Sequence, residues 1–587
     1  MLNLRNMESL KKWTIIGIII GVIVGFVSIA IYYGILLVQE FFMSDFVGFV
    51  PPLPAGEGGL LTYTFSVEHY WLLPVSIIIG GLISGIIVYR FAPEAEGHGS
   101  DAVISAYHNE GGTIRRRVPL IKLVASALTI GSGGSAGREG PTAQVSAGIG
   151  SVLSKYLDIS DSDKRNMTAI AMGAGIGAIF KAPFGGALLS AEILYRRDME
   201  TEVIFPAIIA SIIGYTILGA FTGYTPIFGI NENIVNYVFN PYLLPFLVGV
   251  GLFTGVFARL YIKIFYFVHD HFRAWNVSNY FKPAIGAVGT GALVLVFPEL
   301  AGIGYGWMQF MMAGDFHVFV NTFGMPLILF FLVLAVMKMV TAATSIASGG
   351  SGGVFAPGMF AGSSIGVAVA LAFSTFFPTL IPLSLVGVFA IIGMLSFFGA
   401  AGKVPIAVTL MVIEMTGTIA LLPAAMFSVA VALIVSGKDS IYRAQVYNRL
   451  DSPAHITEYY TPLMNKVKVR TIVTKNFAIK PDTKPGFAEE FMKINDLASA
   501  PVVNEDDKLL GAVYLDDVVH MSESDKRSSV SVKLRRVKYV SIASTADEAW
   551  RAMVKNKATW CAVVDGDKFV GIVKMNSIFN KYTKKWK

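Results

Sequence analysis

The chain has 587 residues, several times the ~100–200 of a single domain, with 54% hydrophobic and only 15% charged residues. A mean hydropathy of +0.61 and a charged fraction well below the ~25% of average soluble proteins exclude a water-soluble enzyme. The 41 Phe and 23 Tyr exclude low-complexity disorder, and a single cysteine, Cys561, excludes a disulfide scaffold and a multi-cysteine metal cluster. A net charge of +7 is read as basic residues gathered on the cytoplasmic side of a membrane protein. No recognition motif supports nucleic acid as a partner.

Residues 13–38 form an uncharged apolar run, longer than the ~20 residues that span a bilayer, and predict a retained first helix. Arg5, Lys11 and Lys12 precede it and place the N-terminus inside. Further apolar stretches lie near 70–92, 117–136, 142–156, 168–195, 203–222, 241–268, 283–298, 325–347, 355–373, 382–400 and 404–436. Several are too short to span alone. Gly and Pro interrupt many of them, as in GSGGSAGREGP (131–141) and SGGSGGVFAP (348–357). At membrane depth such breaks are tolerated only where the freed backbone is buried in protein or lines a cavity, so they point to an ion or solute site.

After about residue 455 hydropathy collapses and charge becomes dense. Segments 499–519 and 560–579 each read as strand, acidic turn ending in Asp507-Lys508 or Asp567-Lys568, strand and short helix. They predict one unit repeated, a soluble α/β pair on the same side as the C-terminal tail.

The membrane part also repeats. Residues 122–141 laid on 338–357, an offset of 216, are identical at ten of twenty positions, including Lys122 with Lys338, Ser132 to Ser135 with Ser348 to Ser351, and Pro141 with Pro357. A second pair follows, Lys181-x-Pro183 with Glu192 and Lys403-x-Pro405 with Glu414. Two homologous halves with matching broken segments predict a central site where the halves meet. Helix N-termini at such breaks present unpaired N–H groups and the positive end of the dipole, which favour an anion. Only the first half carries charge there, Arg138-Glu139, and Phe355 stands at the position equivalent to Glu139. A carboxylate at that depth costs at least ~2.5–3.5 kcal/mol, so it should face a cavity, pair, or carry function. The loops lack the Gly-Lys-Ser/Thr ending of a phosphate cradle, which disfavours a phosphate-using membrane enzyme.

On GREGP (137–141), GVFAP (353–357) and DSIYRAQV (439–446), nearly the whole chain resembles the CLC family of chloride channels and chloride/proton antiporters followed by a CBS domain pair. The resemblance implies an all-α polytopic membrane fold of two inverted-topology repeats, then a small α/β CBS pair. The expected boundaries are 1–455 for the membrane domain, with repeats near 70–222 and 241–436, 456–524 for the first CBS domain and 525–587 for the second. It implies transmembrane chloride transport, most simply Cl⁻/H⁺ exchange, with a passive chloride channel of the same fold as the alternative. It also implies a homodimer in the lipid bilayer with one pathway per subunit, and termini and CBS domains in the cytoplasm.

Carried over by motif, Glu139 resembles a gate whose carboxylate occupies an anion site when deprotonated and leaves it when protonated. The N–H groups of Val354 and Phe355 match those contacting the central anion, Arg138 and Gly140 flank the outer site, and Tyr442 matches the inner tyrosine that donates to the anion. Lys122 is read either as an attractor for anions or as a structural lysine. Two departures stand out. The family's GSGIP reads Gly97-His98-Gly99-Ser100-Asp101, so His98, Gly99 and Ser100 form the first anion-binding segment and an imidazole stands where a serine hydroxyl is usual. The internal proton glutamate of many antiporters aligns with Ile193, leaving neighbouring Glu192 as the candidate for proton transfer. In the CBS pair the usual ribose contact is degraded. The first copy keeps Asp517, with Tyr514 in the Ser/Thr position, and the second keeps neither, so an adenine nucleotide is the only cofactor to consider. His98, Asp101 and His108 invite reading as a metal trio, but nothing in their spacing fixes ligand geometry, and no metal is expected.

Overall fold

The computed structural model describes residues 8–583 apart from 61, 158, 230–231, 236, 456–463, 465–466, 476, 522–528 and 557. The chain divides into two units, residues 1–454 and 455–587. In the first unit, α1 (Ser9–Gln39), α2 (Leu72–Phe91), α3 (Ser100–Asn109), α4 (Val118–Gly131), α5 (Glu139–Ser154), α6 (Asp161–Ile179), α7 (Pro183–Glu192) and α8 (Thr201–Thr222) precede a short α9 (Glu232–Val235). A second series follows: α10 (Leu244–Ala274), α11 (Lys282–Val294), α12 (Tyr305–Ala313), α13 (Leu327–Ala342), α14 (Phe355–Phe376), α15 (Val386–Gly402), α16 (Pro405–Thr416) and α17 (Leu422–Ser436). Among the described residues eight helical segments are long and apolar enough to cross a membrane. The segment containing α15 is 83% buried within the protein, whereas that of α1 is 44% buried and leaves a face for lipid.

Glycine spacing sets how the long helices meet. Gly17, Gly21 and Gly25 recur every four residues and so share one face of α1. A Cβ on Gly21 would fall 2.6 Å from the Ala210 carbonyl of α8, and one on Gly25 2.8 Å from Ile217 Cβ. The second series repeats the device, with Gly251 and Gly255 of α10 at 2.6 and 2.8 Å from the Ser428 and Ala432 carbonyls of α17. Small residues permit this backbone approach where no water drives helices together. The crossing of α1 with α8 is thus equivalent to that of α10 with α17, and the first repeat begins at α1 rather than near residue 70.

The apolar stretches at 168–195 and 404–436 each resolve into two helices, because the chain turns at Lys181 (φ 51°) in the first and at Gly417 (φ 69°) in the second. Lys181 and its equivalent Lys403 (φ 57°) both take left-handed backbone, held by their own amines. Lys181 Nζ donates to the Gly56 and Thr222 carbonyls, both at 2.9 Å. Lys403 Nζ donates to Ser436 Oγ at 2.7 Å and to the Gly437 carbonyl at 2.8 Å.

The two series are bound reciprocally. Glu192, ending α7, accepts from Ile406 N (3.2 Å) and Ala407 N (2.7 Å) at the start of α16. Glu414, in α16, accepts from Phe184 N (3.1 Å) and Gly185 N (2.7 Å) at the start of α7. Contacts in which residue i of one half meets j of the other, and j meets i, are those a two-fold axis imposes. Each carboxylate also sits at the positive end of a helix dipole.

In the second unit β1 (Thr474–Lys475), β6 (Lys568–Lys574), β5 (Trp560–Asp565) and β4 (Tyr539–Ser541) form a sheet in that order, with only β4 and β5 parallel. A hairpin of β2 (Ser499–Val503) and β3 (Leu509–Tyr514) stands beside it. Each of the two predicted strand-turn-strand segments is a hairpin followed by a helix, Leu515–Val519 or Met575–Thr583. Phe569 N donates to the Asp507 carbonyl at 2.7 Å, joining the turns of the two copies.

Candidate anion site

The two broken loops meet through equivalent glycines. Gly137 N donates to the Gly353 carbonyl at 2.8 Å and Gly353 N to the Gly137 carbonyl at 2.6 Å, so α5 and α14 begin side by side. Glu139, at the first position of α5, is 5% exposed, and its Oε1 accepts from Phe355 N at 2.6 Å and Ala356 N at 2.9 Å. A carboxylate therefore occupies the N-terminus of α14, where two orphan N–H groups and the dipole favour negative charge. Its Oε2 is buried without a hydrogen-bond partner among the described residues.

This contact explains three glycines. A Cβ on Gly137 would lie 2.1 and 2.2 Å from the two Glu139 oxygens, and one on Gly353 2.5 Å from Oε1. A Cβ on Gly140 would lie 1.9 Å from the His98 carbonyl, so the loop before α3 packs directly on the start of α5.

That loop is clamped from below. Gly99 takes φ 82° and opens α3. Lys122 Nζ donates to the Ala95 carbonyl at 3.0 Å and the Gly97 carbonyl at 2.7 Å. Its repeat equivalent Lys338 donates to the Leu300 and Gly302 carbonyls at 2.9 and 3.0 Å, before α12. The symmetric duty favours the structural reading of Lys122. Tyr442 is buried, with its ring 5.6 Å from that of His98 and 6.3 Å from that of Phe398, and its hydroxyl meets the Ser100 side chain. Phe398 lies 4.3 Å from Phe355. His98, Ser100, Tyr442, Phe355 and the Glu139 carboxylate are thereby gathered around the start of α14.

Several sequence expectations change. Arg138 does not face this place: it pairs with Glu57, both buried, and its guanidinium lies 5.4 Å from the Tyr32 ring and 5.3 Å from the Tyr305 ring. Neutralised there, it is no anion ligand. The N–H groups that hold the Glu139 carboxylate are those of Phe355 and Ala356, and the Val354 carbonyl accepts from Tyr261 Oη at 3.0 Å. Glu192 accepts with both oxygens at the start of α16, as a helix cap does. Ile193 is buried, and its carbonyl accepts from Gln445 Nε2 at 3.0 Å. His98 and Asp101 adjoin, Nε2 to Oδ2 3.4 Å, but His108 bonds Ser452 Oγ at 2.8 Å and the Leu194 carbonyl at 2.9 Å. Glu57 and Ala356 escaped the sequence reading. Glu57 is the lone acid in the Pro/Gly-rich PPLPAGEGG, a faint signal. In the second unit Asp517 Oδ1 pairs with Arg535 Nη2 at 2.5 Å, and the same guanidinium lies 5.0 Å from the Tyr514 ring.

Protonation adds a proton to the carboxyl and removes its charge. Both changes weaken its hold on two N–H donors, whereas a free anion presents the same acceptor as the carboxylate. The arrangement can therefore exchange a carboxylate for an anion at one place.

Comparison with known proteins identifies the family and the fold. Residues 80–437 match the family described as voltage gated chloride channel, and residues 469–524 and 530–584 each match the CBS domain. The H(+)/Cl(-) exchange transporter ClcA of Salmonella arizonae is 29% identical over 364 residues, 60% of this chain and 73% of that protein. Among solved structures, a slow cyanobacterial Cl⁻/H⁺ antiporter (TM-score 0.61, 22% identity) covers 73% of this chain and 96% of its own. A eukaryotic CLC transporter (TM-score 0.58, 18% identity) covers 97% and 98%. A CLC-type fluoride/proton antiporter (TM-score 0.61, 21% identity) covers 75% and 98%.

Proposed function

Since the chain belongs to the voltage gated chloride channel family, whose members are channels and transporters rather than enzymes, we propose that it exchanges chloride for protons, with Glu139 as the protonatable gate. The observation that carries this reading is the Glu139 carboxylate on the Phe355 and Ala356 N–H groups. Each charge-assisted bond contributes about 1.5–3 kcal/mol, so the deprotonated side chain competes with chloride for the start of α14. Protonation releases it and admits the anion. Proton and chloride then move in opposite directions because one position serves both in turn. Gly99, Ser100, Gly140 and Tyr442 line the anion's route, with His98 in place of the usual serine. The reading extends to a homodimer with one pathway per subunit and to a cytoplasmic placement of the termini and CBS pair. An adenine nucleotide at that pair would have to displace Arg535 from Asp517 and Tyr514.

The relatives named as exchange transporters support exchange over passive flow. A passive channel remains the second reading, favoured by Ile193 and by the engagement of Glu192 as a cap. The test is the full chain in chloride-loaded liposomes, with chloride efflux and external pH recorded together. Uphill proton movement driven by the chloride gradient, lost in Glu139→Gln while chloride still flows, is the expected result. Chloride flux without protons in the unaltered protein establishes the channel reading. Intact coupling in Glu139→Gln refutes the gate.

A further inference from the structure

We propose that His98 and Asp101 form a proton relay that loads Glu139 from the adjoining aqueous cavity, supplying the step for which Ile193 offers no titratable side chain. The inference rests on the exchange reading above. A cavity of about 250 Å³ is lined by Glu94, Glu96, His98, Asp101, Tyr266 and His269, among others. Its solvent side is marked by Asp101, whose side chain is 29% exposed, and its closed end by His98, at 6%.

The imidazole bridges these two ends. Nε2 faces Asp101 Oδ2 at 3.4 Å, while Nδ1 is buried and has no hydrogen-bond partner among the described residues. Asp101 is fixed from outside its helix: Oδ1 accepts from Ala444 N at 3.1 Å, and Oδ2 lies 3.4 Å from Tyr266 Oη. A carboxylate so held orients the ring. The residue next to Glu139 packs on the His98 backbone, since a Cβ on Gly140 would sit 1.9 Å from the His98 carbonyl. Thus the buried, unpartnered atoms His98 Nδ1 and Glu139 Oε2 belong to segments that touch.

The other charged and titratable groups around His98 are already engaged. Glu94 pairs with Arg115, Glu96 accepts from Tyr89, and Lys122 is spent on two carbonyls. Tyr266 Oη donates to the Ile441 carbonyl at 2.6 Å, Arg443 and His269 both pair with Asp270, and Tyr442 meets Ser100. The step balances as a transfer. With Nε2–H kept toward Asp101, Nδ1 takes a proton from the cavity to give an imidazolium and, after the ring turns, passes it to the Glu139 carboxylate, which restores the same neutral tautomer.

The test is the ratio of protons to chloride moved by the full chain in liposomes. His98→Gln keeps an amide donor but cannot carry a proton through, and the ratio is expected to fall at least ~10-fold, as loss of a positioned acid–base group does. Asp101→Asn leaves the imidazole but removes the carboxylate that orients it, so protons moved per chloride should fall while chloride flux persists. A purely structural role would lower both fluxes together. A wild-type ratio in His98→Gln overturns the relay while leaving exchange intact. No proton movement in the unaltered protein overturns the exchange reading and the relay with it. If His98→Gln carries no chloride, His98→Ser decides: chloride flux without protons supports the relay. Coupled flux in that variant, or loss of both fluxes in both variants, overturns it.

Discussion

Gly137→Ala separates the carboxylate's position from its chemistry. A Cβ at Gly137 would lie 2.1, 2.2 and 2.5 Å from Oε1, Oε2 and Cδ of Glu139. The obstruction is the end of a flexible side chain, and the backbone bridge to Gly353 needs no change, so the fold should survive and the carboxylate should move. Leaving the start of α14 forfeits two charge-assisted hydrogen bonds at about 1.5–3 kcal/mol each. Even the lower sum, about 3 kcal/mol, shifts the seated-to-displaced equilibrium by about 100-fold. In liposome flux assays Gly137→Ala should resemble Glu139→Gln although its carboxyl is intact. Chloride should flow under alkaline conditions that close the unaltered protein, and protons per chloride should fall. A melting curve within a few degrees of the unaltered protein confirms folding. A folded variant with unchanged coupling and alkaline inhibition refutes the claim that a seated Glu139 is the closed state.

Gly140→Ala meets the His98 carbonyl at 1.9 Å, backbone against backbone, so it should sharply reduce folded protein in detergent size-exclusion rather than produce an open transporter. Arg138→Ala leaves Glu57 buried without its partner, a loss of about 3–5 kcal/mol visible as a lower melting temperature. Arg138→Met combined with Glu57→Met should recover most of it with the wild-type chloride-over-nitrate preference, because the guanidinium faces Glu57 and not the anion. Glu192→Gln and Glu414→Gln, which remove charge from reciprocal caps, should each lower stability by about 1–2 kcal/mol and by similar amounts. Neither should abolish proton coupling, and its loss in Glu192→Gln alone would restore the proton-carrier reading.

What the sequence disclosed and what it hid follow from how local each signal is. The offset of 216, the paired loops and the alignment of Glu139 with Phe355 were legible because duplication leaves its mark along the chain, and a seat for negative charge at the broken helix starts followed from the dipole. The CBS hairpins were legible because their turns are local. The direction of Arg138 was not, since neighbours at a helix start point about 100° apart and its partner Glu57 lies 81 positions away. The capping contacts of Glu192 were hidden because a buried acid looks the same in sequence whether it carries protons or caps a helix, and its exchange with Glu414 across the two-fold joins residues over 200 positions apart. The membership of α1 in the repeat was hidden because its equivalence to α10 rests on glycine spacing at a helix crossing, with too little identity to align.

The same symmetry says where chemistry can reside. Lys122 and Lys338, Lys181 and Lys403, and Glu192 and Glu414 perform matching tasks in the two halves, each fixing a loop or a helix start. Around the anion site the halves diverge: Arg138-Glu139 stands opposite Val354-Phe355, and Gly97-His98-Gly99-Ser100 opposite Gly302-Ile303-Gly304-Tyr305. The divergence has a physical ground. The two-fold brings the starts of α5 and α14 together through Gly137 and Gly353, and a carboxylate on both would place like charges side by side in a buried site, where one must stay neutral. With a carboxylate on neither, no group would titrate. One acid seated on the other half's N–H groups is the arrangement that keeps both the anion site and its competitor. On the exchange reading the matching pairs are therefore the scaffold, and the residues that break the repeat, Glu139 and His98 first among them, are where a proton and an anion would be told apart.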